Sequence, residues 1–344
     1  MEKTKLSDFD YVLPPELIAQ EPASRRDLSR MMVLQRHKGV IGQATFSSLP
    51  HYLEEGDLLV LNNTRVIPAR LLGRQAGGSG REVELLLLHP LSEGRWVAMV
   101  RPGRKLKPGA VVEFARGLRA VIEDYAGQGQ RVVSFTGPAP LEQLLPLVGQ
   151  VPLPPYIKGE LRDPRQYQTI YAAVDGSAAA PTAGLHFTPA VFEGLRRKGI
   201  RWTFITLHIG PGTFQPVKEE DIRSHKMHRE YYRISAAAAE EINAARRRGR
   251  RIVAVGTTSC RVLEAAADDK GFVQEREEWT DLFIYPGYSF KTVDALLTNF
   301  HLPRSTLLML VCAFAGYDQV MEAYRLAVKE KYRFYSFGDC MLIL

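Results

Sequence analysis

At 344 residues, 45% hydrophobic and 24% charged, the chain has the balance of an ordinary soluble globular protein and the length for two domains without covalent staples. Its three cysteines, Cys260, Cys312 and Cys340, are widely spaced with no CxxC, which excludes a disulfide framework and a thiolate zinc site and fits a reducing cytosol. The first residues lack a signal-peptide core and the longest apolar run, 307–315, is too short to cross a bilayer, so a cytoplasmic protein is expected.

The formal net charge is +7, and its densest point is Arg246-Arg247-Arg248-Gly249-Arg250-Arg251. Further clusters are Arg101, Arg104, Lys105 and Lys107, and Arg196, Arg197 and Lys198. A folded basic protein invites a polyanion, because Lys and Arg that neutralise phosphates release condensed counterions. The Arg246 run also has a plainer reading as a solvated helix end, where cations suit the C-terminal dipole.

In chain order, Pro14-Pro15-Glu16-Leu17 opens a short helix, 31–34 is a strand and 57–61 a buried strand. The polar turn Asn62-Asn63-Thr64-Arg65 follows; loops at strand C-termini carry ligands in open α/β sheets, which makes this turn a candidate site element. From 69 to 149 the texture changes to short β-rich segments at 82–88, 95–101, 110–114, 118–124 and 130–135, separated by Gly and Pro clusters. Short strands at that spacing suggest a small antiparallel barrel, closed by a helix at 141–145 and followed by a Pro-rich extended linker at 151–156. Beyond 164 the pattern is mixed, with strands at 202–207, 252–255 and 281–285, a short element at 293–297, and helices at 236–248, 260–267, 306–314 and 319–330. The expected architecture is an α/β main domain, 1–68 and 152–344, with a small antiparallel β-barrel domain inserted at 69–151.

Half of the eight histidines fall within 179–230. Thr182-Ala183-Gly184-Leu185-His186 precedes His208-Ile209-Gly210-Pro211-Gly212, and His225-Lys226-Met227-His228-Arg229-Glu230 closes the stretch. Imidazole is the side chain best matched to proton transfer near neutral pH and also a common metal ligand, and glycine beside it permits close approach. His225 and His228 at i, i+3 can share a helix face and, with His208, form a candidate metal set, although there is no HExxH. Each histidine taken singly also reads as a hydrogen-bonded structural residue.

The turn Gly256-Thr257-Thr258-Ser259, between an apolar strand and a helix, offers amides and three hydroxyls as an anion cradle, where plain N-capping needs one hydroxyl. Gln215 breaks any GxGxxG register after Gly210, and there is no GxxxxGK[ST], which leaves standard nucleotide chemistry unsupported. Before the helix at 306, His301 and Arg304 read as a proton donor and an anion clamp, or the loop serves only to cap that helix through Ser305 or Thr306. Phe334, Tyr335 and Phe337 with Asp339 offer aromatic faces and one carboxylate, suited to a sulfonium or a base, or they pack as an aromatic strand.

Several longer motifs act together: Ser7-Asp8-Phe9-Asp10-Tyr11, Asn62-Asn63-Thr64-Arg65-Val66-Ile67-Pro68-Ala69-Arg70, Leu153-Pro154-Pro155-Tyr156-Ile157, Tyr167-Gln168-Thr169-Ile170-Tyr171-Ala172, Val255-Gly256-Thr257-Thr258-Ser259, Thr298-Asn299-Phe300-His301-Leu302-Pro303 and the ending at 332–342. With the histidine cluster they resemble the S-adenosylmethionine:tRNA ribosyltransferase-isomerase family of queuosine biosynthesis over nearly the whole chain, the barrel being matched mainly in outline. The resemblance implies an α/β domain with an inserted barrel. It implies transfer of the ribosyl portion of S-adenosylmethionine to 7-aminomethyl-7-deazaguanine at the wobble position of tRNA, giving epoxyqueuosine-tRNA with release of adenine and methionine. S-adenosylmethionine is then a consumed substrate, with no cofactor and no metal; the partner is the tRNA anticodon arm, and a monomer is expected.

In that chemistry the positive sulfur acidifies the ribose C5′–H, a base removes the proton, adenine leaves protonated, the aminomethyl nitrogen attacks, and epoxide closure expels methionine. A base, an acid and an anion cradle are required. The pool for acid and base is His186, His208, His225 and His228. The candidates for substrate binding are Asn62, Asn63, Thr64, Arg65, Tyr156, Thr182, Gly184, Gly210, Gly212, Thr257, Thr258, Ser259, His301 and Asp339. Two rivals stand beside this reading, a metal-dependent hydrolase built on His208, His225 and His228, and a non-catalytic RNA-binding protein.

Overall fold

The computed structural model describes residues 3–36, 38–77, 80–127, 129–159, 161, 163–210 and 217–344. The chain divides into two compact units, one of Met1–Thr64, Pro155–Val174 and Ala180–Leu344, the other of Arg65–Pro154 and Asp175–Ala179. The first segment supplies β1 (Arg30–Gln35), β2 (Gly39–Thr45), α1 (Leu49–Tyr52) and β3 (Leu58–Asn62). After β4 (Thr64–Val66) come β5 (Arg70–Gln75), β6 (Glu82–Ser92), β7 (Arg95–Arg101), β8 (Val111–Glu113), β9 (Arg119–Tyr125), β10 (Gln130–Thr136), α2 (Leu141–Val148) and β11 (Gly149–Gln150). A strand β12 (Val174–Ser177) pairs with β4. The remainder is α3 (Pro189–Arg197), β13 (Arg201–Leu207), β14 (Glu230–Ile234), α4 (Ala236–Arg247), β15 (Ile252–Val255), α5 (Thr257–Ala266), β16 (Arg276–Thr280), β17 (Ala295–Asn299), α6 (Thr306–Ala315), α7 (Tyr317–Lys329) and β18 (Cys340–Ile343).

Among the described residues the first unit holds a nine-stranded mixed sheet in the order β16-β14-β13-β3-β15-β17-β18-β1-β2. Strands β13, β3, β15 and β17 run parallel, and β18 enters antiparallel to β17 and parallel to β1. Every residue of β3, β15, β17 and β18 is buried, which is why these strands read as unbroken rather than alternating apolar runs. Met31, Leu59, Leu61, Val253, Leu297 and Leu342 pack with Val191 and Leu195 of α3 in one core. Because the four central strands are parallel, their carboxyl ends all emerge at the same edge, and that edge positions the site described below.

In the second unit, β5-β6-β7-β10-β9-β8 closes through β5–β8 pairing into a six-stranded antiparallel barrel, with β11 appended to β5. Strand β10 alternates strictly, with Arg131, Val133 and Phe135 buried and their neighbours not. Leu71, Val83, Leu85, Ala98, Val112, Ile122 and Val133 fill the interior. The fold class expected from sequence, α/β with a small antiparallel barrel, is the fold observed.

Local details differ from the sequence reading. No strand forms at 281–285; the polar segment Arg276–Thr280 pairs instead, because β14 presents an edge to it in register from Glu230↔Thr280 to Ile234↔Arg276. Strands β2, β5, β14 and β18 are additional, and β18 is too short an apolar run to be told from a helix turn by periodicity. Asn62 ends β3 and Thr64 begins β4, so the expected polar turn is a strand-to-strand step. Helix α5 begins at Thr257, which places the hydroxyl-bearing residues in its first turn rather than before it. The loop ahead of α6 does cap it, Ser305 Oγ accepting from Leu308 N at 3.2 Å.

Candidate active site

A cleft of about 670 Å³, counting space open to solvent, lies at the carboxyl ends of β15 and β17 in the first unit. Gly256, Thr257 and Thr258 form one wall and Thr298, Asn299 and His301 the next. Ile209 beyond β13, Tyr335 and Ser336 ahead of β18, and Tyr156 and Thr182 also line it. The position is the one open α/β sheets use for ligands, where strand ends leave backbone polar groups directed outward.

Gly256 makes the wall possible. It turns the chain from β15 into α5 at φ +87°, a conformation that side chains other than glycine rarely adopt, while its N–H donates to Leu297 O at 2.7 Å. No side chain caps α5, and Thr258 Oγ1 and Ser259 Oγ are buried without a hydrogen-bond partner among the described residues. Asn299 Oδ1 and Tyr335 Oη share that condition. A buried polar atom left unpaired costs about 1–3 kcal/mol, so a ligand that satisfies several of them at once binds with that advantage.

Aromatic side chains shape the opposite wall. Tyr156 stacks on Tyr335 with ring centroids 4.5 Å apart, and its hydroxyl lies 2.7 Å from Ser336 Oγ. Burial raises the pKa of both phenols, which therefore stay neutral. The ring of His301 is hydrogen-bonded through Nε2 to Thr298 Oγ1 at 2.7 Å, and its main chain is held by Tyr324 and Tyr11. Burial pushes the His301 imidazole down to about 3, so it is neutral at physiological pH.

The four histidines of 179–230 occupy different settings. His186 is buried against Phe46 behind Asn299, with Nε2 3.3 Å from Asn299 Nδ2; burial lowers its pKa to about 4, opposed by a hydrogen bond to the Arg26 backbone. His208 is half-buried at the end of β13, its Nδ1 2.7 Å from Thr64 Oγ1 and its ring stacked on Tyr231, one residue from the cleft residue Ile209. His225 Nδ1 lies 3.0 Å from Glu219 Oε2, and its ring meets the edge of Phe283. His228 is half-buried just ahead of β14. Among the described residues no three His, Cys, Asp or Glu side chains gather as a metal site, so His208, His225 and His228 do not form the ligand set that the hydrolase rival requires.

Of the residues expected to bind substrate, Tyr156, Thr182, Thr257, Thr258 and His301 line the cleft. Asn62 does not: its amide donates to Leu207 O at 3.0 Å, and its Oδ1 accepts from Leu207 N and Thr64 N, tying β3 to β13. Asn63 Oδ1 accepts from Thr206 Oγ1 at 2.7 Å, Thr64 holds His208, and Arg65 is exposed beside Asp175 at 3.3 Å. Gly184 is required for packing, since a Cβ there would fall 2.0 Å from Tyr171 Oη. Gly210 N donates to Glu230 Oε1 at 3.1 Å, Ser259 is buried within α5, and Gly212 lies outside the described residues. Both carboxylate oxygens of Asp339 accept backbone N–H groups, from Arg30 and Arg333, each at 2.8 Å, so it fixes the turn ahead of β18.

Three participants were not among the candidates. Asn299 and Tyr335 line the cleft with unpartnered atoms, and both belong to segments whose composition had drawn attention as motifs. The third is the Glu230–Arg261 ion pair, whose side chains are 3% and 4% exposed. It joins β14 to α5, while Glu230 also holds Gly210 and Arg261 Nε donates to Leu282 O at 3.1 Å.

Residues 6–343 match the family model described as queuosine biosynthesis protein. The chain belongs to that family. A protein of Symbiobacterium thermophilum named S-adenosylmethionine:tRNA ribosyltransferase-isomerase is 55% identical over 343 residues, covering 99% of this chain and 100% of its own. The Moorella thermoacetica protein of the same name is 54% identical over 342 residues, with the same coverage. The crystal structure of S-adenosylmethionine tRNA ribosyltransferase from Thermotoga maritima is similar at a TM-score of 0.56 and 44% identity, covering 98% of this chain and 100% of that one. In this member of the queuosine biosynthesis family, the cleft combines an uncapped helix start, a neutral imidazole and stacked phenols within one sheet edge.

Proposed function

We propose that the cleft at the ends of β15 and β17 is where the chain carries out the reaction of its family. The chain is an enzyme that transfers and isomerises the ribosyl moiety of S-adenosylmethionine onto 7-aminomethyl-7-deazaguanine at the wobble position of tRNA, giving epoxyqueuosine-tRNA and releasing adenine and methionine. The observation that carries this reading is identity of 52–55% along essentially the full length of enzymes with that name.

The start of α5, with Thr257 and Thr258, receives the methionine carboxylate; the uncapped N-terminus and the unpartnered Thr258 hydroxyl support this. His208 is the proton-transfer residue best supported, being oriented by Thr64 and Tyr231 beside a cleft residue. His225 and His228 remain in the acid–base pool on their place in the same segment. The net charge of +7 suits the anticodon arm of a tRNA, the protein acts as a cytoplasmic monomer, and S-adenosylmethionine is consumed without a cofactor or metal.

The test is incubation with S-adenosylmethionine and precursor-modified tRNA, with and without a chelator. Free adenine and a mass gain on the tRNA in both arms are expected. Labelled tRNA binding without consumption of S-adenosylmethionine would favour the RNA-binding rival, and activity abolished by chelation and restored by a divalent metal would favour the hydrolase. Single His→Gln variants then sort the pool: the true acid or base loses about 100-fold or more in rate.

A further inference from the structure

Asn299 Oδ1 is an acceptor with nothing to accept. Asn299 is 2% exposed and lines the cleft, yet its Oδ1 has no hydrogen-bond partner among the described residues. The orientation of its amide follows from chemistry. Nδ2 lies 3.0 Å from Tyr335 O, and a carbonyl oxygen can only accept, so the NH₂ group must be on that side. The same nitrogen lies 3.3 Å from His186 Nε2, which accepts because the imidazole is neutral and its other nitrogen faces the Arg26 backbone. Two acceptors thus take the two amide hydrogens, and the carbonyl end is left for a ligand that donates.

The neighbouring wall supplies the complementary requirement. Strands β15 and β17 are adjacent and parallel, with Val255 opposite Leu297. Thr257, the first residue of α5, and Asn299 each stand two residues beyond that paired position, and both line the cleft. An anion-attracting helix start and a neutral acceptor at the ends of adjacent strands in one cleft suit a carboxylate and an ammonium carried on one carbon. A protonated imidazole behind Asn299 would repel an ammonium; burial keeps His186 neutral and removes that conflict.

We infer that Asn299 Oδ1 accepts the α-ammonium of S-adenosylmethionine, forming with the start of α5 a clamp for its zwitterionic amino-acid end, and that His186 is a positioning residue that sets the Asn299 carboxamide. The inference rests on the proposed reaction for the identity of the ligand and goes beyond it in assigning the ammonium subsite.

The experiment compares calorimetric binding of S-adenosylmethionine, an analogue lacking the α-amino group, and an analogue whose adenine 6-amino group is replaced by oxygen. Wild type is expected to bind the deaminated analogue about 10- to 100-fold more weakly, the usual value of a charge-assisted hydrogen bond to a buried acceptor. Asn299→Leu is expected to lose that discrimination and to keep the wild-type ratio for the 6-oxo analogue. The ratio is read on folded protein only, so partial misfolding leaves it intact, and Asn299→Ala provides a second variant. His186→Phe, which keeps a ring against Phe46, is expected to reduce the deaminated-analogue discrimination while kcat at saturating substrate stays within about threefold.

The clamp is overturned if Asn299→Leu discriminates against the deaminated analogue as wild type does, or loses the 6-oxo discrimination instead. The positioning role of His186 is overturned if kcat collapses with discrimination unchanged. A wild-type protein that shows the discrimination but releases no adenine from S-adenosylmethionine and tRNA sinks the proposed reaction and leaves the clamp standing. One that binds no S-adenosylmethionine removes both.

Discussion

The barrel and the α/β unit treat buried polar atoms in opposite ways. In the barrel, the buried Arg131 is satisfied by the carbonyls of Leu106, Gly103 and Gln130, and among the described residues only Trp96 Nε1 is buried without a partner. The described residues of the α/β unit contain nine such atoms, and Thr258 Oγ1, Asn299 Oδ1 and Tyr335 Oη belong to residues of one cleft. A closed sheet pairs every strand with two neighbours and has no edge at which polar groups collect. An open sheet ends its parallel strands along one edge, where turns such as that at Gly256 direct unpaired groups at a ligand. The contrast assigns scaffold chemistry to one region and ligand chemistry to the other.

The sharpest way to break the contrast is at the buried pair that joins β14 to α5. Arg261→Met leaves the buried Glu230 carboxylate without its guanidinium counter-charge, and should lower stability by about 3–5 kcal/mol, read as a fall in urea midpoint. The double variant Glu230→Gln with Arg261→Met should recover much of that loss; if it does not, the damage is packing rather than charge.

A smaller effect separates ligand chemistry from folding. Thr258→Val removes a hydroxyl that has no partner among the described residues, so stability should stay within about 0.5 kcal/mol or rise, while kcat/KM for S-adenosylmethionine falls about tenfold. A loss of stability without a loss of activity would mean that the hydroxyl serves the fold.

Acid should weaken the α/β unit through its buried imidazoles. His186 and His301 titrate at about 4 and about 3 in the native state, against an ordinary value of 6.5. As pH falls below about 6.5 the unfolded chain takes up protons that the native state refuses, so their contribution is complete above 6.5 and is lost progressively, towards about 4 for His186 and about 3 for His301. Each histidine adds a slope approaching about 1.4 kcal/mol per pH unit in that window, and His186→Phe should flatten the acid limb of a urea-midpoint titration. An unchanged limb would show that His186 is protonated in the native protein.

The barrel supplies the smallest effect. Arg95→Ala removes a partly exposed pair with Glu123 and should cost less than about 1 kcal/mol, and less still in high salt.

Much of this protein was legible from local pattern. The alternation in 130–136 and the unbroken run 252–255 report burial directly, and the elements formed there. The long motifs identified the family, and the segments at 256–258 and 298–301 did reach the cleft. Less legible was the difference between a residue that faces ligand and one consumed by the fold. Asn62, Asn63 and Asp339 look as polar and as well placed as Asn299, yet their side chains are taken up by Leu207, Thr206, Arg30 and Arg333.

The amino-acid sequence alone determined the class of fold, the run of local elements and the family, because periodicity, turn residues and motif spacing are properties of neighbouring positions. Tertiary structure alone decided that β18 lies between β17 and β1, that the four histidines occupy different settings, and that Asn299 keeps an open acceptor among the described residues. Those outcomes depend on partners such as His186 and Asn299, 113 residues apart, and Asn62 and Leu207, 145 apart. A hydrogen bond is satisfied or left open only when such distant segments meet, and no local pattern records the meeting.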